Sequence, residues 1–302
     1  MRRLNERLAK SLALASLPEP LHSQASAVVL KALHTAERFP GWPVVRLPYE
    51  AMRACGAGDA LAGNVAAAAV LFYCAADITD DAQDGELAAN PAWQGWDWRQ
   101  AVNAGNAFVF LALAELMAQR VAAPVKARWA TAYAHAGRRL TGGQALDLAG
   151  GNEALVRAEK SGASWAFLAS VGPLYADLPV QPWRDFGQAL GALYQLATDV
   201  HPYTTPFPHR DLAQGKPTLP LAHALALDPS LAGLWEQGEL DPRAQAALRA
   251  RVAATGAVMY AQMRVDILKD EATELAASLP PAAARRLQPL VDAVNVADDV
   301  AL

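Results

Sequence analysis

The chain has 302 residues, long enough for one large core, and carries 26 Lys and Arg against 30 Asp and Glu, a net charge of -4. No run of Lys or Arg exceeds two residues, which excludes the basic footprint that a nucleic-acid backbone demands. Residues AVILMFWYC make up 53%, Ala the commonest of them, and a chain so rich in the best helix former reads as an all-α bundle in a single domain over residues 1–302.

The opening MRRLNERLAKSLALASLPEP has a basic start, but Glu6 and Lys10 interrupt its short apolar patch, so it reads as a helix and not as a signal peptide. Helical patterning then recurs between Pro and Gly punctuation at 20–38, 60–88, 100–121, 125–149, 153–177, 183–200, 216–227, 242–278 and 281–299, and no segment reads as a strand. The most apolar stretch, Val65 to Ala76, falls short of the roughly 20 residues that span a bilayer and is expected to be a core helix, with no transmembrane segment. Cys55 and Cys74 sit in Ala-rich surroundings as buried thiols, which fits a reducing, cytoplasmic compartment. Two stretches break the helical pattern: PAWQGWDW from Pro91 to Trp98, and HPYTTPFPHRDLAQGKP from His201 to Pro217. Loops of that length in a compact bundle are often functional.

The strongest local signal is DITDDAQDG, which ends the apolar helix. Asp77, Asp80, Asp81 and Asp84 fall within a sector of roughly 100° on a helix, so their charges repel unless a cation intervenes. One reading is a Mg²⁺ site in which Asp80 and Asp84, one turn apart, hold ions that also bind a diphosphate. The other is a solvated acidic helix end, although carboxylates at a helix C-terminus oppose its dipole.

Further blocks follow in order: GGQALDL from Gly142, EKSGA from Glu159, YQLATDV from Tyr194, and RDLAQGKPTLPLAHAL from Arg210 to Leu225. Together with DDAQD these resemble the trans-isoprenyl diphosphate synthases, the polyprenyl synthetase family, over about residues 40 to 225. DDAQD is similar to the first aspartate-rich motif, DDxxD, and the last block resembles DLxxGKxTLPLxxAL closely. The resemblance implies an isoprenoid-synthase-type helical bundle around a central hydrophobic cavity and Mg²⁺-dependent ionisation of an allylic isoprenyl diphosphate. It implies metal ligands at Asp80, Asp81, Asp84 and Asp199, and diphosphate-binding lysines at Lys160 and Lys216. Gln144, three residues before Asp147 and on the same helical face, and Gln195 join them as substrate-binding residues. A homodimer is expected as well.

The departures are as specific as the matches. At the second aspartate-rich motif Thr198 stands for the first aspartate and Pro202 for the third, which weakens a third metal site. The basic segments with which the family grips isopentenyl diphosphate are reduced to Arg46, in GWPVVRLP, and Arg99; the Arg pair after the first motif is absent, and Trp93, Trp96 and Trp98 crowd that loop. Guanidinium forks suit a diphosphate and indoles do not, though aromatic faces can stabilise a cation. The expected reaction is therefore diverged from chain elongation toward terpene synthesis by cyclisation or elimination. The alternatives are prenyl transfer, to isopentenyl diphosphate or another acceptor, and a catalytically silent subunit of a heteromeric synthase. In the family, bulky residues about one turn before the first motif close the hydrophobic channel; the resemblance places Ala75 and Ala76 there, which implies room for a farnesyl or geranylgeranyl chain, with Tyr73 as a candidate floor or an ordinary core aromatic.

Overall fold

The computed structural model describes residues 6–10, 17–38, 42–89, 93–151, 155–156, 158–216, 218–235 and 238–295. Among them there are helices and connecting turns and no strand, so the fold is all-α. The residues gather into two units: 1–188 with 275–290, and 189–274 with 291–302.

In the first unit, α1 is Leu21–Arg38 and α2 is Pro43–Ala54. Helix α2 was not expected from GWPVVRLP, because two prolines discourage a helix. Pro43 sits in the first turn, where a missing N–H is no loss, and Pro48 forfeits one bond. Burial of Val44, Leu47, Pro48, Ala51 and Met52 along one face offsets that loss.

Helix α3, Asp59–Gln83, packs along α2 and along α4, Trp98–Met117. Every residue of α3 from Val65 to Phe72 is buried, which marks it as the central helix of this unit. Both α3 and α4 are long and apolar enough to cross a membrane by length and composition; 67% of that window in α3 is buried inside the fold, as in a core helix. Helix α5, Ala123–Leu148, lies against a π-helical turn, Ala158–Gly162, that runs into α6, Ala163–Ala176.

Helix α7, Gln181–Thr204, begins in the first unit and continues into the second. It extends past the expected end at residue 200 and through Pro202, whose carbonyl accepts from Arg249 Nε at 2.7 Å. The second unit adds α8, Arg210–Gln214; α9, Leu219–Leu227; a 3₁₀ segment, Pro229–Trp235; α10, Pro242–Ala254; and α11, Ala257–Ser278. The single long helix expected over 242–278 is two helices, because Gly256 turns the chain at φ +81. Leu212, Leu221, Leu231, Leu248 and Val252 form the centre of this unit's core. Helix α12, Pro281–Asp292, belongs up to residue 290 to the first unit, where Arg286 donates to Glu50 at 2.8 Å; it ends before the expected residue 299, and residues 296–302 lie outside the described ones. Cys55 and Cys74 are free thiols, Cys74 buried and Cys55 half-buried, and burial pushes the Cys55 thiol up to about 12.

Helix α4 starts on a complete capping box: Asp97 accepts from the N–H groups of Arg99 and Gln100 at 2.8 and 3.0 Å, and its own N–H donates to Gln100 Oε1 at 3.0 Å. Asp97→Ala is expected to cost about 1 kcal/mol and Asp97→Asn much less, as read from thermal unfolding midpoints.

Candidate active site

The four carboxylates at the end of α3 do not act as one cluster. They separate into two pairs, each one helical turn apart, and each pair has its own partners. Asp77 accepts from Lys31 Nζ of α1 at 2.9 Å, and Asp81 accepts from the Trp93 indole N–H at 2.9 Å. On the other side, Asp80 accepts from Lys160 Nζ at 2.9 Å, and Asp84 accepts from Gln144 Nε2 at 3.2 Å. At about 100° per residue, positions 77 and 81 sit about 60° around the axis from 80 and 84, which is enough to face different neighbours.

The second pair is held by α5 and the π-turn. Lys160 lies in that turn and also donates to Asp147 at 2.7 Å. A π-turn adds one residue to a helical circuit and often marks a functional site. Two features fix it against α5. Arg139 forms a two-pronged ion pair with Glu159, both bonds 2.8 Å, and donates to the Ala158 carbonyl at 3.2 Å. At Gly143 a Cβ would stand 2.7 Å from the Lys160 nitrogen and 2.8 Å from the Glu159 carbonyl carbon, so only glycine lets the turn approach so closely. Burial lowers the Lys160 pKa, but Asp80 and Asp147 together raise it by more, so the ammonium stays charged above the usual lysine range.

Gln144 is 8% exposed, and its Oε1 is buried without a hydrogen-bond partner. Asp80 and Asp84, one turn apart, are hard oxygen donors of the kind Mg²⁺ takes. Among the described residues no three acidic, His or Cys side chains form a closed metal cage.

Below this end of α3, Phe72 packs edge-on against Tyr133 and Phe167, with ring centroids 5.1 and 5.6 Å away. Tyr73 instead meets Trp42 of α2's N-terminal cap edge-on at 5.2 Å. Tyr73 therefore faces α2, whereas Phe72 faces α5 and α6, the elements that carry Gln144 and Lys160.

The remaining expected residues are less concentrated. Arg46 pairs with Glu50 at 2.8 Å, and Glu50 also binds Arg286. Arg99 is exposed and lies over the Trp98 ring, 5.1 Å from its centroid. In the second unit, Gln195 Nε2 donates to Asp199 at 3.1 Å, and the Thr198 hydroxyl donates to the Tyr194 carbonyl at 3.0 Å, so its hydrogen is used within its own helix. Lys216 follows the left-handed Gly215 at the end of α8, and its N–H donates to the Asp211 carbonyl at 2.9 Å. Of the tryptophans in the loop, Trp93 is fully buried, Trp96 half-buried and Trp98 57% exposed; Pro91 and Pro217 lie outside the described residues. A groove of about 370 Å³ lined by Arg128, His135, Leu174 and Arg184 lies toward the other end of α5 and includes none of these residues.

The polyprenyl synthetase family model matches residues 49–250, about two-thirds of the chain. The chain belongs to the polyprenyl synthetase family. That places this family member among enzymes of the isoprenyl diphosphate synthase and prenyltransferase type. Solved structures share its fold at low identity. A polyprenyl synthetase from Streptomyces coelicolor A3(2) is 21% identical with a TM-score of 0.77, over 97% of this chain and 98% of that one. The geranylgeranyl pyrophosphate synthetase from Pyrococcus horikoshii Ot3 is 19% identical with a TM-score of 0.78, over 97% and 94%. A polyprenyl synthase from Caulobacter crescentus CB15, complexed with calcium and isoprenyl diphosphate, is 21% identical with a TM-score of 0.74, over 96% and 93%. No curated protein sequence matches the chain.

Lys31, Phe72 and Arg139 were not singled out in the sequence. Lys31 lies 46 residues before its partner Asp77, and no local pattern announces such a pair. Phe72 was hidden in an unbroken apolar run. Arg139 had a usable signal, since it lies three residues before GGQALDL and its partner Glu159 opens EKSGA.

Two substitutions test how this polyprenyl synthetase family member builds the site. Gly143→Ala is expected to displace Lys160 and to lower allylic diphosphate turnover by at least about tenfold, with a smaller effect on the unfolding midpoint. Lys31→Met removes the cation beside Asp77. Burial holds the Asp77 carboxyl up, from an ordinary 3.8 to about 6, while Lys31 pulls it down. Stability from such a raised group is complete below the ordinary value and is lost as pH rises through about 6. The variant's stability loss is therefore expected to be larger at pH 8 than at pH 5. At neutral pH it should be about 2 kcal/mol, less than for a fully buried pair because Lys31 is 34% exposed.

Proposed function

We propose that the protein ionises an allylic isoprenyl diphosphate in a Mg²⁺-dependent reaction and directs the allylic cation away from condensation with isopentenyl diphosphate, toward cyclisation or elimination to a terpene. The observation that carries this reading is the convergence in one unit of Lys160 on Asp80 and Asp147 with Gln144 on Asp84. It is an arrangement of one cation, hard oxygens and a buried amide beneath which lies an apolar aromatic wall.

Mg²⁺ held by Asp80 and Asp84 would bind the diphosphate and stabilise the charge that develops as it leaves. Lys160 adds an N–H donor and a positive charge for a departing oxygen, and Asp147 keeps that ammonium in place. Asp81 is tied to Trp93 and acts beside the metal pair. In the second unit, the family resemblance makes Lys216 a diphosphate-binding cation and Asp199 a candidate metal ligand. Phe72, Tyr133 and Phe167, packed on one another, would keep water out and limit the prenyl chain; Phe72 is two turns, about 12 Å, from Asp80. The Caulobacter structure, with calcium and isoprenyl diphosphate, supports a divalent cation and this substrate class.

The divergence from elongation is supported by the fate of the basic groups: Arg46 is engaged by Glu50, Lys31 by Asp77, and Arg99 lies out on Trp98. A homodimer is supported by α4, which leaves Phe110 71% exposed, and a reducing, cytoplasmic setting by the free thiols.

The test is incubation with Mg²⁺ and geranyl, farnesyl or geranylgeranyl diphosphate, with and without isopentenyl diphosphate, and product identification by mass spectrometry. A hydrocarbon or alcohol from a single allylic substrate is expected, with at least about 100-fold loss in Asp80→Ala. A longer diphosphate formed only with isopentenyl diphosphate would refute the divergence, and full activity of Asp80→Ala would refute the site.

A further inference from the structure

Trp93 is fully buried although it lies in a loop between α3 and α4. A buried indole N–H needs an acceptor, and a backbone carbonyl serves most of them; Trp129, equally buried, donates to the Val171 carbonyl at 2.9 Å. Trp93 instead donates to a carboxylate of the aspartate motif, at 2.9 Å from Asp81 Oδ2. The ring face is covered as well: Lys31 Nζ stands over it, 4.3 Å from the centroid, while the same ammonium is fixed by Asp77 at 2.9 Å. Three separate segments thus close a chain of contacts, from Asp77 through Lys31 and the Trp93 ring to Asp81, that begins and ends on adjacent turns of α3.

We infer that Trp93 is a positioning residue for the aspartate motif: its N–H orients Asp81 toward the α1 side of α3 and so leaves Asp80 and Asp84 as the aligned pair that takes the divalent cation. This rests on the proposed metal role of Asp80 and Asp84. The physical reason is crowding. Asp81 adjoins Asp80 in sequence, and without a fixed donor its side chain can swing toward Asp80 and compete for the same cation or repel its neighbour's charge. An N–H held by a buried, cation-clamped ring restricts that swing. Partners that orient metal-binding carboxylates typically change metal affinity by roughly 10- to 100-fold when removed.

The experiment measures Mn²⁺ binding by electron paramagnetic resonance in the presence of inorganic pyrophosphate, with no turnover involved. The wild type is expected to bind Mn²⁺ and Asp80→Ala to lose it; if the wild type does not bind, or Asp80→Ala binds equally, the metal reading itself falls and this inference with it. Given that binding, Trp93→Phe is expected to weaken it roughly tenfold, and Asp81→Asn to add little in the Trp93→Phe background, because the two act through one bond. Trp129→Phe, which also removes a buried indole donor, is expected to lower the unfolding midpoint and leave Mn²⁺ affinity unchanged. Should Trp93→Phe fail to fold, benzothienylalanine at position 93 keeps the ring's volume and removes only the N–H. Mn²⁺ affinity within twofold of wild type in a folded N–H-less variant, or an equal loss in Trp129→Phe, would overturn the inference.

Discussion

Like charges on one short stretch of helix are the constraint from which this site is built. Four carboxylates within two turns of α3 must be separated, neutralised or bridged, and the protein does the first two with its own side chains. An ammonium and an indole take the pair facing α1, and an ammonium and an amide take the pair facing α5. The neighbouring elements are placed to serve that division: α1 delivers Lys31, the loop before α4 delivers Trp93, and the π-turn delivers Lys160.

Delivering Lys160 is the most demanding of these tasks, because its backbone must lie almost on α5. The turn's extra residue, the two-pronged grip of Arg139 on Glu159 and the missing side chain at Gly143 act on the same few ångströms. Each is a local backbone or charge effect and none depends on a large core. The rest of the first unit supplies rigidity: α3 is buried on all sides through its apolar stretch, so the carboxylates rise from a helix end whose position is over-determined.

Much of this was legible in the sequence. Ala-rich helical periodicity gave the all-α class, and the ordered motif blocks pointed to the polyprenyl synthetase family; Asp80, Asp84, Gln144 and Lys160 do converge. What was not legible follows from two physical facts. Helix α2 was missed because proline statistics describe an average helix, and burial of one face of α2 overrode them. The split of the carboxylates was missed because a sector on a helical wheel says which way side chains point but not what stands opposite them. Asp81 and Asp84 look alike in DDAQD, and only the arrival of Trp93 and Gln144 tells them apart. The second aspartate motif illustrates the reverse case: Thr198 was recognisable as a poor substitute, and its hydroxyl is indeed turned back onto Tyr194.

Lys160 holds two aspartates at once, Asp80 at 2.9 Å and Asp147 at 2.7 Å, which makes ligand entry an exchange of ions and not a simple filling of space. On the proposed function, a bare metal cation arriving at Asp80 would displace an ammonium that then lacks part of its counter-charge. A bare diphosphate arriving at Lys160 strips two carboxylates of their cation and meets their repulsion. A metal and a diphosphate arriving together would largely offset each other's charge, so that each could exchange partners with little net charge left in a half-buried place. On the proposed function, occupancy would then follow the metal–diphosphate complex more closely than either ion alone, a chemical interlock without any moving part.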